Sequence, residues 1–170
     1  MKFIKDILVI DFEGREEPIQ IGAVLLDKET LQEKDSFSSY IYADLNGKAK
    51  TKSGITQENL IGAPNQAEVG KMFFEKFGTD ILIGSWVSTS DITNFKKIIN
   101  SSGINWDKYD YHVFDIWPAA YIYLLKHGYT GGISSEEMFQ FFGTEPRENH
   151  NALEDCRIVA DILRKIVLKN

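Results

Sequence analysis

The chain's 170 residues, 43% of them hydrophobic and 26% charged, allow one domain (1–170) with one core and exclude a disordered or fibrous chain. A single cysteine excludes an intramolecular disulfide framework and a four-cysteine zinc site and points to a reducing, cytoplasmic setting; the opening apolar stretch between Asp6 and Asp11 is a poor signal peptide, and no run approaches the ~18 apolar residues of a membrane span. A formal net charge of −6 argues against a protein that coats nucleic acid, since binding phosphates along a strand calls for excess Lys and Arg.

Ile7 to Ile10 is a short apolar β-rich run, Ile19 to Leu26 a second, and Leu31 to Tyr42 a third, with Phe37, Ser39 and Ile41 alternating against Ser38, Tyr40 and Tyr42. The short connections between them predict an antiparallel meander. Thr56 to Leu60 reads as a short helix, capped by Thr56 and stapled by Ile55 against Leu60. Asn65 and Glu68 form a capping-box pattern ahead of Val69, Met72, Phe73 and Phe77, which share one helical face. A fourth strand is predicted at 80–84, a helix at 90–100 with Ile92, Phe95 and Ile99 inward, a fifth strand at 111–115 and a helix at 117–127. Ser134 with Glu137 opens another short helix, ended by Gly143, and the last helix runs over about 151–168 with Leu153, Cys156, Val159, Leu163 and Ile166 on one face. This order predicts a single α/β domain, a mixed five-stranded sheet flanked by helices.

Chemistry concentrates in the acids. Asp11-Phe12-Glu13 closes the first strand; residues two apart leave a strand on one face, so both carboxylates point together and Phe12 points away. Two adjacent carboxylates repel unless a positive charge lies between them, and a divalent cation suits their oxygens. Alone, the pair also fits a strand running out into solvent. Asp91 follows the fourth strand, where Ser88 and Asp91 also make a Ser-x-x-Asp capping box. Asp155 alone reads as a solvated acid on the last helix, and His150 as a surface histidine near its start. Five helical positions would set those two about 140° apart, so they converge only if His150 belongs to the preceding turn.

Together, Asp-x-Glu, Asp and His-x4-Asp stand in the order and the strand-end and helix-start positions of a site built on an α/β sheet. At these residues the sequence resembles the DEDDh 3′–5′ exonucleases, which have a ribonuclease H-like fold and include proofreading subunits of bacterial DNA polymerases, ribonuclease T and oligoribonuclease. ILVIDFEGREEPIQIGAVLL looks like the family's first motif and second strand, Ser53-Gly54-Ile55-Thr56 is similar to its Gly-Ile-Thr stretch, and HNALEDC resembles its third motif. Asn at position 151, where a Tyr-x3-Asp variant would need tyrosine, makes this the histidine type.

The resemblance implies a 3′–5′ exonuclease domain acting on the 3′ end of single-stranded nucleic acid and releasing nucleoside 5′-monophosphates. It implies that Asp11, Glu13, Asp91 and Asp155 hold two Mg²⁺ or Mn²⁺ ions and that His150 is the general base. Backbone at Phe12 and Gly14 is expected to contact the terminal nucleotide, with Ile55 and Leu60 as apolar wedges against bases. Lys48, Lys50 and Lys52 fit either a solvated loop or phosphate contacts. The second motif departs from the family's usual His-Asn-Ala-x-Phe-Asp, reading Trp86-Val87-Ser88-Thr89-Ser90-Asp91. A tryptophan here is similar to relatives of the enhanced-RNAi exonucleases, so RNA is slightly favoured over DNA. Two divalent ions would leave about −2 of the net −6 charge, which suits gripping one strand end at a metal site. The competing readings are a catalytically silent ribonuclease H-like module that binds nucleic acid or protein, and another two-metal nuclease or phosphodiesterase on the same fold. Monomer and homodimer stay open.

Overall fold

The computed structural model describes residues 2–14, 17–45, 53–146 and 150–168. Strands β1 (Ile7–Glu13), β2 (Gln20–Leu26) and β3 (Glu33–Tyr40) form the antiparallel meander expected of them. Strands β4 (Leu82–Ser85) and β5 (Val113–Asp115) extend the sheet in parallel from the other edge of β1, so the order is β3-β2-β1-β4-β5. The crossovers carry α1 (Gln57–Leu60), α2 (Gln66–Phe77) and α3 (Ser88–Ser101), and α4 (Ile116–Lys126), α5 (Ser135–Phe141) and α6 (Ala152–Leu168) follow. This is the mixed, helix-flanked sheet read from the sequence.

β1 lies at the centre and is apolar on both faces, as a strand covered on both sides must be. Ile7 and Val9 enter a core with α4, α5 and α6, while Leu8, Ile10 and Phe12 enter a second core with α2 and α3. The strand runs on to Glu13, so Asp11 and Glu13 stay in register opposite Gly22 and Gln20 of β2. On α2 the Asn65–Glu68 capping box forms with both reciprocal hydrogen bonds. Met72 is a correction: it is exposed, and the buried face of α2 runs through Val69, Gly70 and Phe73. Gly70 is there because α3 passes too close for a side chain; a Cβ would lie 2.5 Å from the Ile98 carbonyl oxygen. Among the described residues, no helix is long and apolar enough to cross a membrane.

Candidate active site

Asp11 and Glu13 leave β1 on the face of Ile7 and Val9, the face covered by α6. That helix is capped by Asn151, whose Oδ1 accepts from the N–H groups of Leu153 (3.1 Å) and Glu154 (3.2 Å). His150 therefore precedes the cap, in non-helical backbone, and escapes the angular separation that five helical positions would impose. Its ring folds back onto the first turn of the helix, with Nδ1 3.4 Å from Asp155 Oδ2. Glu13 completes the group: donor atoms of Glu13, His150 and Asp155 all lie within 4.8 Å of one another. The Gln20 side chain locks the arrangement, its Oε1 accepting from Ala152 N–H at 3.2 Å.

Asp91 arrives from the other side. The helix expected from about 90 begins at Ser88, so Ser88 is its first residue and Val87 the cap, with no side-chain capping bond. The Ser88–Asp91 capping box is thus absent, because the Ser88 hydroxyl donates across the fold to Asp115 Oδ2 at 3.1 Å. The Asp91 carboxyl is buried and pushed up to about 7, foremost by loss of solvent and further by the Asp115 charge. The nearby Ser85 hydroxyl and the Phe12 N–H offset part of this; Ser85 Oγ is wholly buried and reaches no partner at ordinary hydrogen-bond geometry. Asp11, Asp91 and Asp155 also converge on one buried thiol: burial first, then these three charges, push Cys156 well above the usual thiol range. Asp155, which alone reads as a solvated acid, is buried.

The donor set fits a hard divalent cation. It consists of carboxylates and one imidazole, and every group acting on the buried Asp91 is neutral or negative, so nothing among them supplies the positive charge its ionised form needs.

The expected substrate contacts fare differently. Phe12 is a core side chain, and its backbone N–H lies near enough to Asp91 to favour the charged carboxylate. Gly14, at φ +108, makes the tight exit from β1, where a Cβ would meet the Glu17 carbonyl oxygen at 2.1 Å. Ile55 and Leu60 pack with Ile19 and Leu45 in a small cluster of their own. Leu60 is fully enclosed and has no surface to offer a base; this corrects its reading as a wedge, whereas Ile55 reaches the wall of a cavity. That cavity, about 400 Å³, is lined by Gln20, Tyr40, Ser53, Ile55, Asn59 and His150. Trp86 turns inward, edge-on to Phe139, with Nε1 donating to Ser135 Oγ at 2.9 Å. Lys48, Lys50 and Lys52 lie outside the described residues. Sequence reasoning passed over Gly22, Gln20 and Asp115, whose roles come from partners on other elements; the Ile-Gln-Ile-Gly stretch was the only local signal for the first two.

A mixed sheet whose central strand ends in clustered carboxylates beside an imidazole and an open cavity is the architecture of ribonuclease H-like nucleases. The model of the RNase_T exonuclease family matches residues 8–163, and the chain belongs to that family. DNA polymerase III subunit epsilon of Aquifex aeolicus (strain VF5) is 28% identical over 170 residues, covering 94% of this chain and 79% of that protein. The nuclease domain of 3′hExo, a DEDDh family member solved with rAMP bound, superposes with a TM-score of 0.73 at 22% identity over 98% of this chain and 93% of its own. E. coli ExoI, in a complex with single-stranded DNA, superposes at 0.76 with 15% identity over 97% of this chain. The chain spans 41% of that ExoI chain and 65% of a 3′-exonuclease solved in recognition of a histone mRNA stem-loop. Exonucleases of this family use divalent metal ions, the kind of ion that the carboxylate cluster suits.

Proposed function

We propose that the 170 residues act as one exonuclease domain in the cytoplasm, removing nucleotides from the 3′ end of single-stranded nucleic acid, RNA slightly favoured over DNA, and releasing nucleoside 5′-monophosphates. The observation that carries this reading is the meeting of Glu13, Asp155 and His150 within 4.8 Å, with His150 also in the wall of the cavity. Asp11, Glu13, Asp91 and Asp155 hold two divalent ions, Mg²⁺ or Mn²⁺. When bound, such ions supply Lewis-acid stabilisation of the attacking and leaving oxygens.

The protein's own groups do the rest. The cavity volume falls in the range of small-ligand pockets, about 300–1,000 Å³, and receives the terminal nucleotide against Ile55, with the backbone of Phe12 and Gly14 alongside. Asp155 faces His150 Nδ1, which leaves Nε2 to take a proton from the attacking water. The water oxygen bonds to phosphorus, the bond from phosphorus to the O3′ of the penultimate nucleotide breaks, and that oxygen takes up a proton. Neighbours solved with rAMP and with single-stranded DNA support a nucleotide at this place.

Mass spectrometry of products from equimolar single-stranded RNA and DNA oligomers tests the reading. Nucleoside 5′-monophosphates, released somewhat faster from RNA, are expected. Nucleoside 3′-monophosphates, or equal persistence of both strands, would overturn it.

A further inference from the structure

Asp115 stands behind Asp91 without belonging to the set of residues assigned to the metal ions. It ends β5 and pairs in register with Ser85, the last residue of β4. Paired residues on neighbouring strands project from the same face, so both side chains turn to the side where α3 begins. The Ser88 hydroxyl, on the first residue of that helix, donates to Asp115 Oδ2 at 3.1 Å. Asp115 Oδ1 and Ser85 Oγ are buried, and neither has a hydrogen-bond partner among the described residues. Asp91 comes three positions after Ser88, one turn along the same side of the helix. The strand pairing, the Ser88 tether and the buried, unpartnered Oδ1 thus put a second, half-buried carboxyl beside the first turn of α3, close enough for its charge to act on the buried Asp91.

We propose that Asp115 is a positioning residue for the metal site: it fixes the first turn of α3 through Ser88, and its charge loads the metal-free site with a repulsion against Asp91 that a divalent cation relieves. The inference rests on the reading that Asp91 holds an ion. Asp115 then strengthens ion binding without touching the ion, and it lowers the stability of the metal-free protein by the same repulsion. A carboxyl whose work is only to tether α3 would stabilise both states alike.

Asp115→Asn separates the two roles, because the amide keeps the shape and an oxygen that can accept from Ser88 while the charge is lost. Mn²⁺ affinity is measured by calorimetry in the absence of nucleic acid, and Tm in EDTA and in saturating Mn²⁺, all at pH 8. Expected for Asp115→Asn are Mn²⁺ binding weaker by about 10–100-fold, a raised Tm in EDTA and a smaller rise on adding Mn²⁺. Asp115→Ser, a second neutral variant, is expected to lose Mn²⁺ affinity likewise. Ser88→Ala, which keeps the charge and cuts the tether, is expected to lower Tm alike with and without Mn²⁺. Unchanged Mn²⁺ affinity in both Asp115 variants, or an equal fall of Tm in both conditions for Asp115→Asn, would overturn the proposal. Asp91→Asn run alongside distinguishes the failures: if it too leaves Mn²⁺ affinity unchanged, the assignment of Asp91 as an ion ligand fails; if it weakens binding while the Asp115 variants do not, only the role of Asp115 fails.

Discussion

Gly22 decides how close α6 comes to the carboxylates of β1. It pairs with Asp11 across the β1–β2 ladder, and the first turn of α6 rests on it so tightly that a Cβ would lie 2.2 Å from the Ala152 carbonyl carbon and 2.3 Å from the Leu153 nitrogen. Non-bonded carbons settle about 3.5–4 Å apart, so Gly22→Ala forces the helix end back by more than about 1 Å. Backbone atoms cannot rotate aside as a long side chain could. The displaced segment carries His150, the Asn151 cap and Asp155, and it strains the Gln20–Ala152 bond of 3.2 Å. Overpacking of this kind costs about 1–3 kcal/mol, or roughly 3–9 °C in Tm for a chain of this size. A 1 Å misplacement of reacting groups lowers the rate by on the order of 100-fold. The assay is kcat on a 5′-labelled oligomer at saturating Mn²⁺, with Tm from thermal melts. Gly70→Ala is the control: it crowds the α2–α3 contact at 2.5 Å from the Ile98 carbonyl oxygen, toward the end of α3 remote from Asp91, and is expected to lower Tm while kcat stays within about threefold. Should Gly22→Ala lose Tm like the control yet keep its kcat, the height of α6 above β1 would not be what sets the site.

Asp91 makes the metal-free protein sensitive to pH. Its carboxyl is pushed up to about 7 against an ordinary 3.8, by burial foremost and by Asp115 next, so between those values the folded state holds a proton that the unfolded state has lost. Metal-free stability therefore falls as pH rises through that window, and Asp91→Asn, which never ionises, is expected to exceed wild type by on the order of 4 kcal/mol at pH 8 in EDTA and to lose most of that lead at pH 4; urea melts giving the same difference at both values would contradict this. His150→Gln is expected to lower kcat by about 10²–10⁴-fold while calorimetric Mn²⁺ binding stays close to wild type; a large loss of Mn²⁺ affinity would instead make the imidazole a ligand. Ile55→Ala is expected to raise KM as well as lower Tm, since Ile55 is buried in the cluster with Leu60, and Leu60→Ala to cost about 2–5 kcal/mol of stability with KM nearly unchanged; steady-state kinetics paired with melts that show KM rising alike in both variants, or in Leu60→Ala alone, would contradict this.

Periodicity carried most of the fold, because β1, α2 and α6 each show in one stretch of chain the face they bury. The Asp11–Glu13 pair was legible for the same reason: two residues on one strand share a face whatever lies opposite. What could not be read locally depended on partners elsewhere. Ser88 looked like a cap for its own helix, but its hydroxyl is taken by Asp115, brought near by the β4–β5 register. Met72 fitted the apolar stripe of α2, yet the close passage of α3 gives the buried position to Gly70. Trp86 stood where the family motif has polar residues, and only the packing of α5 shows its indole turned into the core. His150 and Asp155 were recognisable as a spacing, while their meeting waited on the Asn151 cap that ends the helix between them.

The most direct test of the central claim uses single-stranded RNA and DNA oligomers labelled at the 3′ or the 5′ end, incubated with Mn²⁺ or with EDTA, beside Asp11→Ala. A 3′ label released at once as a mononucleotide, with a 5′-labelled ladder shortening stepwise only when Mn²⁺ and Asp11 are both present, is the expected result. No metal-dependent loss of 3′ nucleotides from any strand, or equal digestion by Asp11→Ala, would contradict it.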